Sequence, residues 1–328
     1  MTLTASTQLA AAEVEVSALL LPVDLSHESW SALPLAEWIA HRLSVPVAPL
    51  FVDVSTLGTD AVLEHPLLLR ATVAGAAVSV EVIPGSDVAV AIEKLARDRP
   101  GSVVVMSTHG LGGFVDRAWG SVCDDLLRGH AVSVLAVGPG FDAKSNAEIR
   151  RVAVCIDAAA PDNDIVRDAL AWAQTLGVAL LVVTVQTRGR SRPGEDETYQ
   201  LVSAIFEDLP PARVPVTAEV LDETDVGTAI VQLADRRSGT LLAIAPGAEP
   251  GATHALTHNV AMQVARETNS PMLLRWHCSG SAAPATATAP ARATSCHDSY
   301  DEPPVAAVVE VAAVLGTGCH DDYDIAAR

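Results

Sequence analysis

Ala18-Leu-Leu-Leu-Pro-Val-Asp24 is a short apolar run that ends in a carboxylate, and Ser26 follows two residues later. A run of this kind, closed by Asp and Ser, is typical of a buried strand that stops where a helix is about to begin. In the helix expected next, Leu35, Ile39 and Leu43 recur at the spacing that places them on one face. The sequence therefore predicts a strand followed by a helix whose apolar face packs back onto it.

The same alternation of apolar runs and amphipathic segments continues along the chain. Further strands are expected over residues 46–54, 77–83, 102–106 and 133–137, and helices near 60–75, 88–97 and 122–128. Strands that alternate with helices connect through right-handed crossovers and form a parallel sheet. Hydrophobic residues make up 49% of the chain but aromatic residues only 4%. Such an aliphatic core is what a sheet covered by helices on both faces requires.

The second part of the chain repeats this pattern, beginning with Arg151-Val-Ala-Val-Cys-Ile-Asp157. Asp24 and Asp157 are 133 residues apart, and Val134 and Met272, at equivalent points of the last strands, are 138 apart. A near-constant offset indicates a duplicated unit. The elements expected in the second copy are helices over 164–176, 227–237 and 260–268, and strands over 179–185, 216–221, 240–244 and 271–275.

These patterns predict an α/β protein with two tandem Rossmann-like domains, each a parallel five-stranded sheet flanked by helices. The predicted domains cover residues 15–140 and 150–277. An extension over residues 1–14 precedes them, and a linker with a tail over 278–328 follows, where Ala, Pro, Thr and Ser replace the apolar pattern.

The charge balance limits the partners that the protein is expected to have. The chain has 21 basic and 40 acidic residues, a formal net charge of −19. Such a field repels nucleic-acid phosphates and anionic lipids, and the densest basic stretch, residues 188–192, is typical of a loop. Neither nucleic acid nor a membrane is therefore an expected partner.

A cytoplasmic location is expected, because no basic leader or long apolar span is apparent and the five cysteines fit a reducing compartment.

The strongest chemical signal is Ser107-Thr-His-Gly110, which follows a predicted strand and is separated by nine residues from Gly120-Ser121. Small residues at both ends of a strand-to-helix connection let backbone N–H groups approach an anion, and a helix that starts there points its positive end at it. A helix C-cap followed by an N-cap would have the same spacing. Asp24 ends the adjacent predicted strand, so carboxylate and loop are expected at one edge of the sheet, where ligands bind.

These residues resemble the universal stress protein family. The resemblance runs through Pro22-Val-Asp24-Leu-Ser26, Leu50-Phe-Val52, Val104-Val-Met-Ser-Thr-His-Gly110, Gly120-Ser-Val122 and Val132-Ser-Val-Leu135. It covers residues 15–140 well and 150–276 loosely, and it implies the adenine nucleotide alpha hydrolase-like variant of the Rossmann fold. The chain departs from the family's Gly-x₂-Gly-x₉-Gly-Ser/Thr signature at one position, Ser107 in place of the first Gly.

The resemblance implies an ATP site in the first domain, with Mg²⁺ or Mn²⁺ on the phosphates. Asp24 and the backbone at Pro22, Val23 and Val52 would hold adenine and ribose, and Met106 would pack on the base. The residues that would bind the phosphates are Ser107, Gly110, Gly120, Ser121 and Val122. His109 is interpreted as a structural hydrogen-bonder or, alternatively, as a phosphate ligand. No side chain is positioned to activate water, so the expected role is a nucleotide-dependent regulatory or binding module in a stress response, with slow ATP hydrolysis as an alternative.

The second domain is expected to have lost the site. Asp157 is present, but the loop is Ala245-Pro-Gly-Ala-Glu-Pro-Gly251, and the Gly-Ser position aligns with His258-Asn259. Pro246 removes an N–H donor, and Glu249 adds a negative charge where a phosphate would lie. A structural or pairing role is the better hypothesis for this half.

The tail contains a short repeat, Thr294-Ser-Cys-His-Asp-Ser-Tyr-Asp301 and Thr317-Gly-Cys-His-Asp-Asp-Tyr-Asp324, with six of eight positions identical. Three hypotheses remain open: a solvated acidic tail, a metal site, and a pair of docking motifs for a protein partner. The metal ligands would be Cys296, His297, Cys319 and His320. The docking residues would be Cys296, His297, Asp298, Tyr300, Asp301, Cys319, His320, Asp321, Tyr323 and Asp324. Bivalent docking of this kind would make the protein an adaptor or scaffold.

The last strand of each domain is the expected place of association. In the resembling family these edge strands pair across a two-fold axis, so residues 133–137 and 271–275 are expected to pair within the chain as a pseudo-dimer. A homodimer of whole chains is a further possibility.

Overall fold

The computed structural model describes residues 13–24, 26–54, 72–73, 76–77, 80–109, 121–129, 132–156, 163–187, 212–245 and 252–274. Its first half contains β1 (Ala18–Pro22), a 3₁₀ helix (Glu28–Ala32), α1 (Leu33–Leu43), β2 (Val47–Asp53), β3 (Thr72–Val73), β4 (Ala76–Ala77), β5 (Glu81–Pro84), α2 (Val88–Asp98), β6 (Ser102–Ser107), α3 (Ser121–Gly129) and β7 (Val134–Val137). A one-turn helix, α4 (Ala143–Asn146), follows. The second half contains β8 (Arg151–Ile156), α5 (Asn163–Leu176), β9 (Ala179–Thr187), β10 (Val216–Glu223), α6 (Val226–Arg236), β11 (Thr240–Ile244), α7 (Ala252–Glu267) and β12 (Met272–Leu274).

Ten of the strands form a single sheet in the order β10-β9-β8-β11-β12-β7-β6-β1-β2-β5. Within this sheet the strand pairs of each half are parallel, and only the central pair, β7 with β12, is antiparallel. Counted outward from the centre, both halves follow the same strand order. This confirms the predicted α/β class with a mostly parallel sheet flanked by helices.

The central pair joins equivalent residues of the two halves. Leu135 lies opposite Leu273, while Val134 lies opposite Leu274 and Ala136 opposite Met272. With an offset of 138 residues, Leu135 and Leu273 occupy the same position of the repeat. Val134 corresponds to Met272 and Ala136 to Leu274, so each flanking residue pairs with the counterpart of the other. This is the self-complementary register that a local two-fold axis requires. The predicted pairing of the last strand of each half is confirmed.

Both faces of the sheet are covered by buried aliphatic side chains, and each layer continues across the central pair. One layer contains Ile39 of α1 together with Leu170 and Trp172 of α5. The other contains Ile92 of α2 together with Val264 of α7. Because neither layer is interrupted between the halves, the two halves share one hydrophobic core on each face of the sheet.

Polar contacts at the rim also connect the halves. The Arg42 side chain, from α1, donates through Nε to the carbonyl of Leu176 at the end of α5, at 2.9 Å. The N–H of Val14 donates to the hydroxyl of Thr175 at 2.8 Å. The segment before β1 and the end of α1 thus both meet the C-terminal turn of α5.

The connection between the halves is anchored by one buried side chain and by a close backbone approach. The Asn146 side chain, 1% exposed, accepts the N–H of Gly239 at 2.9 Å and donates to the carbonyl of Asn269 at 3.0 Å. A Cβ atom at Gly138 would lie 2.3 Å from the carbonyl oxygen of Ala265. Glycine at position 138 therefore lets the strand end of the first half approach α7 of the second.

Two predicted elements differ from the structure. Of the segment expected to be helical over 60–75, only Thr72–Val73 is described, and it forms strand β3, which pairs with β4. Thr and Val are β-branched and favour this state. The helix expected near 260–268 begins earlier, at Ala252, because neither Gly nor Pro occurs between 252 and 270 to stop it. No helix within the described ranges is long and apolar enough to cross a bilayer.

Candidate functional site

The first half of the sheet contains a point where the strand order reverses. From β1 the chain proceeds to β2 and β5 on one side, and then returns to β6 and β7 on the other. The reversal therefore falls between β1 and β6, and in open α/β sheets ligands bind outside the carboxyl ends of the strands at this point. Asp24 follows the end of β1, and Thr108 and His109 follow the end of β6. The predicted carboxylate and the start of the predicted loop thus flank one crevice.

Asp24 is fixed by the turn that follows it. Its Oδ1 accepts the N–H of Ser26 at 2.8 Å and also the Ser26 hydroxyl. The Ser29 hydroxyl donates to the carbonyl of Ser26 at 3.0 Å and lies 3.3 Å from that of Asp24. Both serines are buried. These bonds form an Asx-type turn, which leads the chain from β1 into the 3₁₀ helix and sets the direction of the carboxylate.

The end of β6 is held by a second set of short-range bonds. The Thr108 N–H donates to the carbonyl of Val137 at 2.9 Å, and the His109 N–H donates to the Ser107 hydroxyl at 3.3 Å. The hydroxyl of Thr108, a residue only 1% exposed, lies 2.7 Å from Nδ1 of His109. The structural hydrogen bond expected of His109 is therefore present.

The apolar residues predicted to contact adenine lie near the same edge of the sheet, but they belong to two different layers of the core. Val52 and Met106 are 7% and 6% exposed and belong to one layer of the core, against which Val122 of α3 packs. Val23 belongs to the opposite layer, and its N–H donates to the carbonyl of Leu50 at 2.9 Å. Pro22 is the last residue of β1.

Several predicted site residues lie outside the described residues. Gly110 and Gly120 are among them, whereas Ser121 is the first residue of α3. All of the tail's predicted metal ligands and docking residues lie beyond Leu274, so those hypotheses stay predictions. Within the described ranges, no group of three or more His, Cys, Asp or Glu side chains is arranged to hold a metal ion.

The corresponding region of the second half is built differently. Residues 245–251 connect β11 to α7, whereas the longer segment 108–120 connects β6 to α3. His258 and Asn259 were expected to replace Gly120 and Ser121 at a helix start, but they lie inside α7, which begins at Ala252. The helix start expected there is wrong, because α7 extends further toward its N-terminus than α3 does and the connection before it is shorter. Asp157 lies outside the described residues.

The buried hydroxyls of Ser26, Ser29 and Thr108 also lie at this edge, and they were not predicted there from the sequence. The Asp-x-Ser spacing of residues 24–26 is the signal that indicates the turn. Cys123, in the first turn of α3, is fully buried, and burial raises the pKa of its thiol far above the usual range. The thiol therefore stays protonated, and thiolate chemistry is not expected there.

Comparison with known proteins agrees with this architecture. Residues 16–138 match the sequence model of the universal stress protein family. A universal stress protein from Archaeoglobus fulgidus DSM 4304 has a similar structure, with a TM-score of 0.55 and 17% identity over 81% of this chain and 98% of that chain. A functionally unknown protein from Pseudomonas aeruginosa PAO1 gives a TM-score of 0.53 and 16% identity over 80% and 92% of the two chains. At these identities the likeness concerns the fold, and it extends over both halves. No curated protein matches the sequence significantly.

Proposed function

We propose that the first half, whose residues 16–138 match the sequence model of the universal stress protein family, binds ATP at the carboxyl edge of its strands. The chain would then act as a nucleotide-dependent binding module in a stress response. One observation carries this proposal: the reversal of strand order between β1 and β6, flanked by Asp24 on one side and by Ser107, Thr108 and His109 on the other.

The residues at the crevice fit an adenosine. Ser26 engages one oxygen of Asp24, which orients the carboxylate before a ligand arrives, and a carboxylate at this place accepts hydrogen bonds from ribose hydroxyls. The N–H of Val23 is committed to Leu50, so the backbone there would meet the base through its carbonyl. Val52 and Met106, which belong to the same layer of the core, would form the apolar floor under the ring.

The phosphates would lie at the start of α3. A helix N-terminus favours an anion through its unpaired N–H groups and its dipole. The phosphate-binding residues would be Ser107, Gly110, Gly120, Ser121 and Val122. Mg²⁺ or Mn²⁺, when bound, would neutralise part of the phosphate charge.

Calorimetric titration with ATP tests the site. In Asp24→Ala the loss of a charged acceptor should weaken binding by about tenfold or more. In Gly120→Val a branched side chain should block the close approach of phosphate and abolish binding. Asp157→Ala is the matched control, since Asp157 occupies the equivalent position of the second half, and it should bind ATP as the unmodified chain does. Undiminished affinity in Gly120→Val, with an unchanged circular dichroism spectrum, would refute the site.

Binding without rapid hydrolysis is the expected behaviour. The Asp24 carboxylate is engaged by Ser26, and Nδ1 of His109 by Thr108, which supports a holding role for both side chains. Single-turnover measurements should give rates well below the ~1 s⁻¹ at the slow end of ordinary enzymes. A faster rate would favour the alternative of an ATPase.

A further inference from the structure

Three arginines flank the turn that leads into β11, at the amino edge of the second half. The N–H groups of Arg150 and Arg151 both donate to the carbonyl of Gly239, at 2.8 and 3.2 Å. The Arg150 side chain packs closely over Gly239: a Cβ atom added at Gly239 would lie 3.0 Å from Cγ of Arg150. Nη1 of Arg151 lies 3.4 Å from the hydroxyl of Thr240, which itself donates to the carbonyl of Arg237.

The carboxylates nearby do not balance the three charges. Arg237 pairs with Glu219 at 2.6 Å. Arg150 lies 3.4 Å from Glu148, and both of these side chains are more than half exposed. Arg151 has no carboxylate partner within the described part of the chain. Burial, then the charges of Arg237 and Arg150, lower the pKa of Arg151, as expected of a cation crowded by other cations.

Comparison of equivalent positions in the two halves shows which of these arginines the fold requires. Arg99 and Glu81 occupy the positions of Arg237 and Glu219 in the first half, and they form a two-pronged pair at 2.7 and 2.9 Å. This pair recurs in both halves. It is therefore a structural feature of the repeat, and it ties the end of a helix to an outer strand.

The other two arginines have no counterpart. Arg151 lies opposite Thr240 in the pairing of β8 with β11, and Ala18 lies opposite Ser102 in the pairing of β1 with β6. Register thus shows that Arg151 replaces an alanine. The first half forms the equivalent strand pairing with Ala18 at this position, so the fold does not require the arginine.

We propose that Arg150, Arg151 and Arg237 form an anion-binding site, which takes the phosphate group of a small ligand. The planar guanidinium matches phosphate oxygens with paired N–H donors. A phosphate dianion would also offset the repulsion among the three cations, and this attraction is stronger beside a partly buried charge such as Arg151. The site is separate from the crevice of the first half and does not depend on ATP binding there.

Titration of the full-length chain with inorganic phosphate at low ionic strength, followed by ³¹P NMR, tests the site. The unmodified chain should show saturable binding, and Arg151→Ala, which installs the residue of the first half, should weaken it by about tenfold or more. Arg151→Lys keeps the charge but lacks the planar guanidinium group. Its affinity for phosphate should therefore lie between those of the unmodified chain and of Arg151→Ala. Arg167→Ala removes an exposed arginine from α5 and so makes the same change in net charge. It should bind phosphate as the unmodified chain does.

The same titration in Gly120→Val separates this site from the proposed ATP site, because phosphate binding by the arginine cluster should survive that substitution. Circular dichroism establishes that each variant is folded. The proposal is overturned if the unmodified chain shows no saturable binding, if Gly120→Val abolishes it, or if Arg151→Ala binds as tightly as Arg167→Ala.

Discussion

At the scale of single residues, Cys123 and Cys155 lead to a prediction about reactivity. Burial raises the pKa of Cys155 to about 12 and that of Cys123 further still. Only the thiolate reacts with alkylating agents, so in the native protein at about pH 8 both should stay unmodified by iodoacetamide. Peptide mapping by mass spectrometry measures this. The denatured protein is the control, in which both residues should be alkylated, and rapid labelling of either in the native state contradicts the raised pKa of that thiol.

Single residues also show how far the sequence determines the site. Asp24 could be placed at the crevice because an apolar run ends there and a parallel sheet brings its carboxyl ends to one edge. The bond between Thr108 and His109 depends on two side-chain rotamers, which no sequence pattern specifies. Arg151 and Arg237 are far apart along the chain, and they become neighbours only through the register of β8 with β11.

At the scale of elements, the starts of α2 and α6 form a matched pair. Asp225 caps α6 by accepting the N–H of Thr228 at 2.7 Å, and Gln263 of α7 donates to the same oxygen at 3.1 Å. Asp87 caps α2 through one bond, from Val90 at 3.0 Å. Loss of an N-cap costs about 0.5–2 kcal/mol. Urea unfolding at neutral pH should show a larger loss of stability in Asp225→Ala than in Asp87→Ala, and equal losses would show that Gln263 adds nothing.

Low pH should abolish the stabilisation that the Asp225 cap provides. Hydrogen bonds from Thr228, followed by the one from Gln263, lower the pKa of Asp225 below its ordinary value. The stabilisation is therefore complete above the unfolded pKa of about 3.9, and it is lost as pH falls through the lower folded value. The stability difference between the unmodified chain and Asp225→Ala should shrink as pH falls below about 4. A difference that stays constant down to about pH 2 contradicts the assignment.

Most elements could be predicted from their patterns, and the exceptions have identifiable causes. Apolar runs bounded by polar turns predicted the ten sheet strands to within a few residues. The signal is uninterrupted in inner strands such as β7, β11 and β12, because they are buried on both faces. The prediction was wrong where it assumed that the two halves are equivalent. The start of α7 was placed by analogy with Gly120-Ser121, although the residues from Ala252 onward form a continuous helix.

At the scale of the whole molecule, the shared core predicts that both halves unfold together. Leu135, fully buried in β7, lies opposite Leu273 of the other half, and both layers of the core cross this junction. Scanning calorimetry should show one transition, with equal calorimetric and van't Hoff enthalpies. Leu135→Ala should lower stability by about 2–5 kcal/mol and keep a single transition. Two separate transitions in the unmodified chain would show that each half is stable alone.

Because β7 and β12 belong to one polypeptide, their pairing does not depend on how much of the protein a cell contains. Separate chains joined through such strands come apart on dilution, whereas a short covalent connection keeps the two edges at a high local concentration. That connection here is α4 and the few residues on either side of it. Two halves with different sequences therefore stay in a fixed one-to-one ratio at any expression level, and they cannot exchange with the halves of other molecules.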